Sequence, residues 1–420
     1  METETFSKLP HKIYHEVVDK IVKLHNLDDS SKFKIEYSAG SAKGDNYLGI
    51  MFRIQIKSKE DNSTKLSLIA KLPPQNENRR EECLAEESFH REIEFYDILM
   101  PIYKKFQKKK SVQIFTEFPN VFSILSKPPH EAIFFEDLKM RNFEMFDRFK
   151  DFTKEHIILV LKALAKMHAI FFCIKDQEPE VVKQFIGRED YVLFIIRSDK
   201  PMLNAWYECQ KKLALTVLEK IKNDDIKEKI ECFLNGDMKE ILKSIIGINV
   251  AEPYSTICHG DIWNNNIMFK NDQNGIPIDV SLLDFQLIRY SSPVIDVMHF
   301  IFTSTTKELR DKHYQEFLDI YYETLSTSIR SLNSDPNKLF PRHIFGEHLK
   351  KFGKFGLYIA VMFLPIITTN KEDTPDLDEI SDKTKNTENS ENPSIDFKPS
   401  ERYEKRILGV FEDICNLGYI

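Results

Sequence analysis

Residues 259–266 read His-Gly-Asp-Ile-Trp-Asn-Asn-Asn, and eighteen positions beyond Asn266 a lone Asp284 follows two leucines in "LLDFQ". An Asp and an Asn five residues apart, on a tight loop leading into a strand, put a carboxylate beside an amide oxygen. Asp261 can take the proton of a hydroxyl nucleophile, and Asn266 can ligate a divalent cation. Asp284, entering from the next strand, adds a second hard oxygen. Such a hairpin delivers base, metal ligand and metal ligand around a nucleotide triphosphate, which is how phosphoryl transfer is catalysed by positioning and electrostatics. Each fragment alone is common, since a His-Gly-Asp tripeptide or an Asn triplet is usually a plain loop. Other residues must join them.

Two do, and both need elements to carry them. "FKIEYS" (33–38) and "MFRIQIK" (51–57) alternate apolar and polar residues, and "LSLIAKLP" (66–73) returns after a polar turn. These predict strands, with residues 47–72 as a hairpin ended by Pro73 and Pro74. Lys71 ends the return strand, where an ammonium could reach phosphate oxygens. Residues 81–100 switch to helical spacing, with Phe89, Ile93, Tyr96 and Met100 on one stripe and Glu92 on its shoulder. Glu92 could hold Lys71 through an ion pair. Strand Lys, helix Glu, then Asp–Asn and Asp form an ordered set that chance accounts for poorly. Pro101 is expected to follow the helix, and "KKFQKKK" (104–110) to be a solvated loop.

The rest of the chain supplies the frame. "VFSIL" and "AIFF" read as strands that end at "EDL" (136–138), and helices dominate after residue 139. "KEHIILVLKALAKMHAIFF" (154–172) is a strong helix, and "NIMFK" and "VSLLDF" are short strands joined by a turn. "FGLYIAVMFLPII" (355–367) is too short to span a bilayer and reads as a buried core helix. Residues 370–398 are polar and acidic and read as a mobile loop, ahead of a last helix.

Composition narrows the function classes. The 420 residues are 42% apolar and 30% charged, an ordinary globular balance, and the formal charge of −7 gives no basic field for nucleic acid. Six scattered cysteines show no metal-ligand spacing, and the N-terminus lacks an apolar leader core, so a cytoplasmic protein without a membrane span is expected.

The sequence resembles the kinase-like superfamily of aminoglycoside phosphotransferases and choline/ethanolamine kinases, and within it the insect ecdysteroid kinase-like family. The resemblance rests on "CHGDIWNNNIMF", "LLDFQLIRYSSPVIDV", "IAKLP", "FHREIEFYDILMP", "IFFEDL" and "LAKMHA". It covers most of the chain. It implies an α+β, two-lobed protein kinase-like fold, with a small β-rich N-lobe (1–138) carrying one key helix and a larger helical C-lobe (139–420). It further implies ATP and Mg²⁺, with Asp261 as catalytic base and Asn266 and Asp284 as metal ligands. Lys71 would hold phosphates with Glu92 orienting it, and Glu136, Asp137 and Leu138 would form a hinge for adenine. His259 and Asp296 would brace the catalytic loop. The phosphate loop would be "SAGSAKGDNYLG", with Gly40, Ser41 and Gly44, although it is not GxGxxG. Gln286 stands where protein kinases have Gly, which argues against a DFG-type flip, and no APE segment or activation loop follows, which argues against a peptide acceptor.

The expected reaction is therefore transfer of the γ-phosphate of ATP to a hydroxyl of an ecdysteroid, a similar apolar alcohol or a xenobiotic. A choline or ethanolamine kinase, which needs a cage for an ammonium, and a non-catalytic pseudokinase are the alternatives. With 32 Phe and 15 Tyr the chain can line an apolar pocket, though most of these rings belong to the core. The stretch 191–196, Trp206 and the stretch 355–363 are the expected walls.

Overall fold

Alternation of apolar and polar residues builds the first sheet. In a computed structural model describing residues 9–40, 49–198, 200–369 and 400–420, five antiparallel strands run in the order β1-β2-β3-β5-β4. They are β1 (Phe33–Ala39), β2 (Ile50–Ser58), β3 (Thr64–Leu72), β4 (Val121–Leu125) and β5 (Ala132–Glu136). One face buries Phe52, Ile54, Ile56, Leu68, Ala70 and Leu72 beneath helix α1 (Lys12–Leu24), which contributes Tyr14, Val17, Val18 and Ile21. Ser41, Gly44 and the acidic stretch 370–398 lie outside the described residues.

The opposite face of the sheet meets the segment expected as one helix over 81–100. That segment is divided. Helix α2 (Glu77–Glu82) stops at Leu84, which takes left-handed dihedrals, and α3 (Ala85–Glu94) restarts the spiral. A π-helical turn, Phe95–Leu99, then passes into α4 (Met100–Lys109). Pro101 does not end the helix, as it was expected to. The widened turn bonds Met100 N–H to Phe95 O, and Pro101 falls in the first turn of α4, where a missing N–H costs little. The stretch 104–110, expected as a loop, is therefore mostly the last part of α4, with Lys104, Lys105, Lys108 and Lys109 in solvent.

The helical part is built on α5 (Lys154–Gln177), which packs against α12 (Lys307–Ser331), β7 (Thr256–Cys258) and β9 (Pro277–Leu282). Among the described residues α5 is long and apolar enough to cross a membrane, and the bent pair Pro336–Phe352 and Phe355–Thr368 would be so only if taken together; the most apolar stretch of α5 is largely buried inside this fold. β7 pairs with β10 (Arg289–Ser291), and a second small sheet has the order β6 (Phe143–Met145), β8 (Ile267–Asn271), β9. Between them along the chain lie α6 (Pro179–Val182), α7 (Tyr191–Ser198), α8 (Pro201–Leu218), α9 (Asp224–Asn235) and α10 (Met238–Ile246). The wholly buried α11 (Val294–Ser304) packs on α15 (Phe355–Thr368), with α13 (Pro336–Leu339), α14 (Arg342–Phe352) and the closing α16 (Glu401–Asn416) around it.

The inner face of the first sheet has no core of its own. Ile133 and Phe135 of β5, with Ile93, Phe95, Tyr96 and Leu99, belong to the same apolar cluster as α5, α11 and α15. Sheet and helices are thus packed as one body along this face.

Candidate active site

Strand alternation aims the lysine. Leu68, Ala70 and Leu72 enter the outer core beneath α1, so Lys71 between them faces the helical part. Its ammonium lies 2.6 Å from Glu92 Oε2 on α3 and 2.6 Å from Asp284 Oδ1. Burial alone pulls the Lys71 pKa down, but Asp284 and Glu92 outweigh it and hold the ammonium above the ordinary lysine range. One cation shared by two carboxylates leaves Glu92 incompletely balanced, and burial pushes its pKa upward against the pull of Lys71. A ring column fixes the carriers: Phe285 stacks on Phe95 at 3.6 Å and lies 4.5 Å from the His259 ring.

The catalytic loop follows β7. Gly260 has φ +85°, and a Cβ there would lie 1.9 Å from Leu287 O, so only glycine fits. Asp296, at the start of α11, accepts from His259 N–H at 2.6 Å and from Gly260 N–H at 2.9 Å. His168 Nε2 on α5 reaches the same carboxylate at 3.0 Å. Burial would raise the Asp296 pKa, but His168 and these donors reverse it to about 2. His259 is pulled down to about 4, chiefly by burial, so its ring is neutral near pH 7. Its Nδ1 accepts from Asp261 N–H at 3.3 Å, and Nε2 donates to Leu283 O at 3.0 Å, which fixes one tautomer.

Asn266 Nδ2 donates to Asp261 O at 2.8 Å and to Asp261 Oδ2 at 2.9 Å. That fixes the amide and leaves Asn266 Oδ1 uncommitted. Asp261 Oδ1 also has no protein partner. Burial, then the charge of Asp284, raises the Asp261 pKa to about 7, where a carboxylate is a useful general base. Asp284 sits at φ +64°, a left-handed conformation that Asp tolerates, just after β9. With Oδ1 on Lys71, its second oxygen and Asn266 Oδ1 are two hard donors on adjacent segments. That donor set fits Mg²⁺.

The structure brings Lys71, Glu92, Asp261, Asn266, Asp284, His259 and Asp296 together. At two of the three expected hinge positions the backbone N–H is already engaged. Glu136 N–H donates to Asn120 O at 2.9 Å, and Asp137 N–H to Ser67 O at 3.2 Å. The Asp137 carboxylate is held by Arg53 and Ser67 at 2.8 Å, and Glu136 is held by Asn120 and Arg141. These two acids and their N–H groups serve the sheet, so neither amide is free for adenine. Gly40 N–H is likewise spent on Met51 O at 2.8 Å, and a Cβ there would come within 2.9 Å of Met51 Cβ. Gly40 serves close strand packing.

Several residues that work here were not singled out from sequence. His168 is one. Arg289 forms a buried ion pair with Asp190 at 3.3 Å and donates to Gly260 O at 3.3 Å. Arg91, beside Glu92, donates to Glu189 O at 3.2 Å and lies over the Tyr191 ring. The start of α7 is thereby tied to both the catalytic loop and α3. His168, Cys258 and Asp296 also lie within 4.8 Å of one another. Burial keeps the Cys258 thiol protonated, and it faces Ser292 O at 3.3 Å. With the Asp296 oxygens taken by His259, Gly260 and His168, the trio braces the loop.

Beneath Asp261 opens a cavity of about 350 Å³. Asp261, Asn266, Asp284 and Gln286 line one end. Ile195 and Ile196 of α7, Met202 and Trp206 of α8, and Tyr358, Met362 and Phe363 of α15 line much of the rest. The expected stretches 191–196 and 355–363, with Trp206, are thus pocket walls, and α10 adds Met238 and Lys239.

A model of the ecdysteroid kinase-like family matches residues 43–334, well over half of the chain. The chain belongs to the ecdysteroid kinase-like family. No curated protein matches it. Among solved structures, the GDP complex of a point mutant of aminoglycoside 2'-phosphotransferase-IIIa is similar over 89% of this chain and 97% of its own, at 10% identity and a TM-score of 0.40. Family membership and the α+β architecture, a β-sheet with one lysine–glutamate helix against a helical part, make this ecdysteroid kinase-like protein a small-molecule kinase-like phosphotransferase.

Proposed function

We propose that the protein transfers the γ-phosphate of ATP to a hydroxyl of a sterol-sized apolar alcohol, such as an ecdysteroid or a hydroxylated xenobiotic. Residues 1–138 serve as the nucleotide lobe and 139–420 as the acceptor and catalytic lobe. The observation that carries this reading is one cavity whose end holds Asp261, Asn266 and Asp284 and whose walls are apolar helices. Its volume falls in the range of small-molecule sites, and its walls favour a body with few polar groups. Sugars and aminoglycosides would meet too few acids.

Asp261, with an unpartnered Oδ1 and a raised pKa, receives the proton of the acceptor hydroxyl. Asn266 orients that carboxylate through its amide. Lys71, held by Glu92, offers a fixed positive charge to phosphate oxygens. Mg²⁺, when bound by Asn266 and Asp284, supplies charge neutralisation for the transferring phosphoryl group. His259 and Asp296 keep the loop in place, and the apolar walls exclude water that would compete as nucleophile.

The test is a panel of acceptors incubated with the purified protein, ATP and Mg²⁺, read by mass spectrometry of the phosphorylated acceptor. Steroid polyols should be phosphorylated in preference to choline and aminoglycosides. If choline or an aminoglycoside is the better acceptor, the apolar-alcohol reading fails. If no acceptor gains phosphate while ATP binds, a pseudokinase is the better description.

A further inference from the structure

Gln286 follows Asp284 by two positions, in the turn between β9 and β10. Phe285 between them is held in the ring column, and the residues on either side of it both line the cavity beneath Asp261. Gln286 is 5% exposed, and its Nε2 reaches Asp261 Oδ2 at 3.5 Å. Asn266 donates to that same oxygen, so Oδ2 is the supported side of the base and Oδ1 its working side. The orientation of the Gln286 amide follows, since a reversed amide would set its oxygen against the carboxylate.

Among the described residues that line the cavity, three polar atoms are buried without a partner: Asp261 Oδ1, Gln286 Oε1 and Trp263 Nε1. A buried acceptor left without a donor is costly and calls for an explanation. The hydroxyl to be phosphorylated serves Asp261 Oδ1. It cannot also satisfy Gln286 Oε1, because a hydroxyl has one proton to donate. A second donor is therefore required. It has to stand close to the first, since Oε1 shares its carbon with the Nε2 that touches the base.

We propose that Gln286 reads a second hydroxyl of the acceptor, on the carbon next to the one phosphorylated, so that the preferred substrate is an apolar 1,2-diol. This rests on the reading of the cavity as the acceptor site. Oxygens on adjacent carbons can meet both groups at once: one hydroxyl gives its proton to Asp261 while its neighbour donates to Gln286 Oε1. A hydroxyl, which both donates and accepts, also suits a lining that leaves one acceptor and one donor unmet, Gln286 Oε1 and Trp263 Nε1. The apolar walls then select by shape, and Gln286 selects by chemical group.

The test uses three steroid alcohols on one skeleton: a 1,2-diol, the mono-alcohol lacking the neighbouring hydroxyl, and the diol with that hydroxyl methylated. Each is incubated with the full chain, ATP and Mg²⁺, and kcat/KM is read by mass spectrometry of the phosphorylated alcohol. The diol should exceed the other two by roughly 10–100-fold, because the ether keeps the oxygen and loses the proton. In Gln286→Met all three values should fall with the support of Asp261, and the preference should shrink to within about twofold. A preference that survives Gln286→Met, an ether as good as the diol, or three alcohols phosphorylated alike overturns the proposal and leaves the phosphotransfer reading standing. Should Gln286→Met not fold, the parent's ranking of the three alcohols decides. If none of them is phosphorylated, the apolar-alcohol reading fails, and the same compounds are titrated against the fluorescence of Trp206 and Trp263, the chain's two tryptophans, both in the cavity lining. Tighter binding of the diol that is lost in Gln286→Met then supports the proposal, and equal binding or none overturns it.

Discussion

The phosphoryl-transfer end of the cavity and its acceptor end are built by opposite means. At the first, the groups that brace the site are committed, while Asp261 Oδ1 is left without a protein partner: Asp296 holds two N–H groups and His168, His259 is fixed at both nitrogens, and Lys71 is bound by two carboxylates. At the second, α7, α8 and α15 present apolar side chains that hold one another by packing. The polar end tolerates almost no change because each lost partner strands a buried group. The apolar end can be reshaped at modest cost, since volume-conserving swaps are tolerated. Chemistry is thus fixed where specificity is free to vary.

Substitutions can break or sharpen that contrast. The largest effect is expected at Asp284. Asp284→Ala removes a hard oxygen and one partner of Lys71 together, and kcat should fall by roughly 10³-fold or more in a coupled ATP-turnover assay. Lys71→Ala should lower kcat about 10²–10³-fold while circular dichroism shows a folded protein. Glu92→Gln should be milder, because it keeps an acceptor for Lys71 and loses only the charge. At the apolar end, Met362→Trp should raise the acceptor KM by roughly tenfold with the ATP KM unchanged, since it fills the cavity without touching the polar cluster. An equal rise in both constants would show that the two ends are not separable.

The smallest effect is a pH signature. Burial, with a lesser push from Lys351, pulls the His348 pKa down to about 4, and its Nδ1 bonds Ser292 Oγ at 2.8 Å. The folded value lies below the unfolded value of about 6.5. As pH drops from 6.5 toward 4, the unfolded chain therefore gains a proton that the folded chain refuses, and stability is lost at about 1.4 kcal/mol per pH unit. Between pH 7 and pH 5, His348→Gln should gain roughly 2 kcal/mol on the parent in urea unfolding.

How much of this was legible differs between the same two ends. Asp261, Asn266 and Asp284 lie within twenty-four positions on one hairpin, so their chemistry is written locally. Lys71 and Glu92 could be read because strand period two and helix stripe each leave one charged residue on a packed face. His168 was hidden because one histidine on an apolar helix looks like any core side chain, and only the fold brings it to Asp296. Arg289 and Asp190 are ninety-nine positions apart, with no local pattern to join them. Helix α1 had a readable stripe of Tyr14, Val17, Val18 and Ile21, but the N-terminus was weighed as a leader rather than as a cover for the sheet. Pro101 misled because a π turn, which sequence does not announce, carries the helix past it.

The central claim is that Asp261 acts on the acceptor hydroxyl and not on the nucleotide. Its most direct test pairs two readings on Asp261→Asn: phosphorylated acceptor by mass spectrometry and Mg²⁺·ATP affinity by calorimetry. Removing the base should cut transfer to every acceptor by roughly 10²–10⁴-fold while ATP affinity stays within about threefold of the parent. Transfer that persists at the parental rate, or an ATP affinity that collapses together with it, would contradict that assignment.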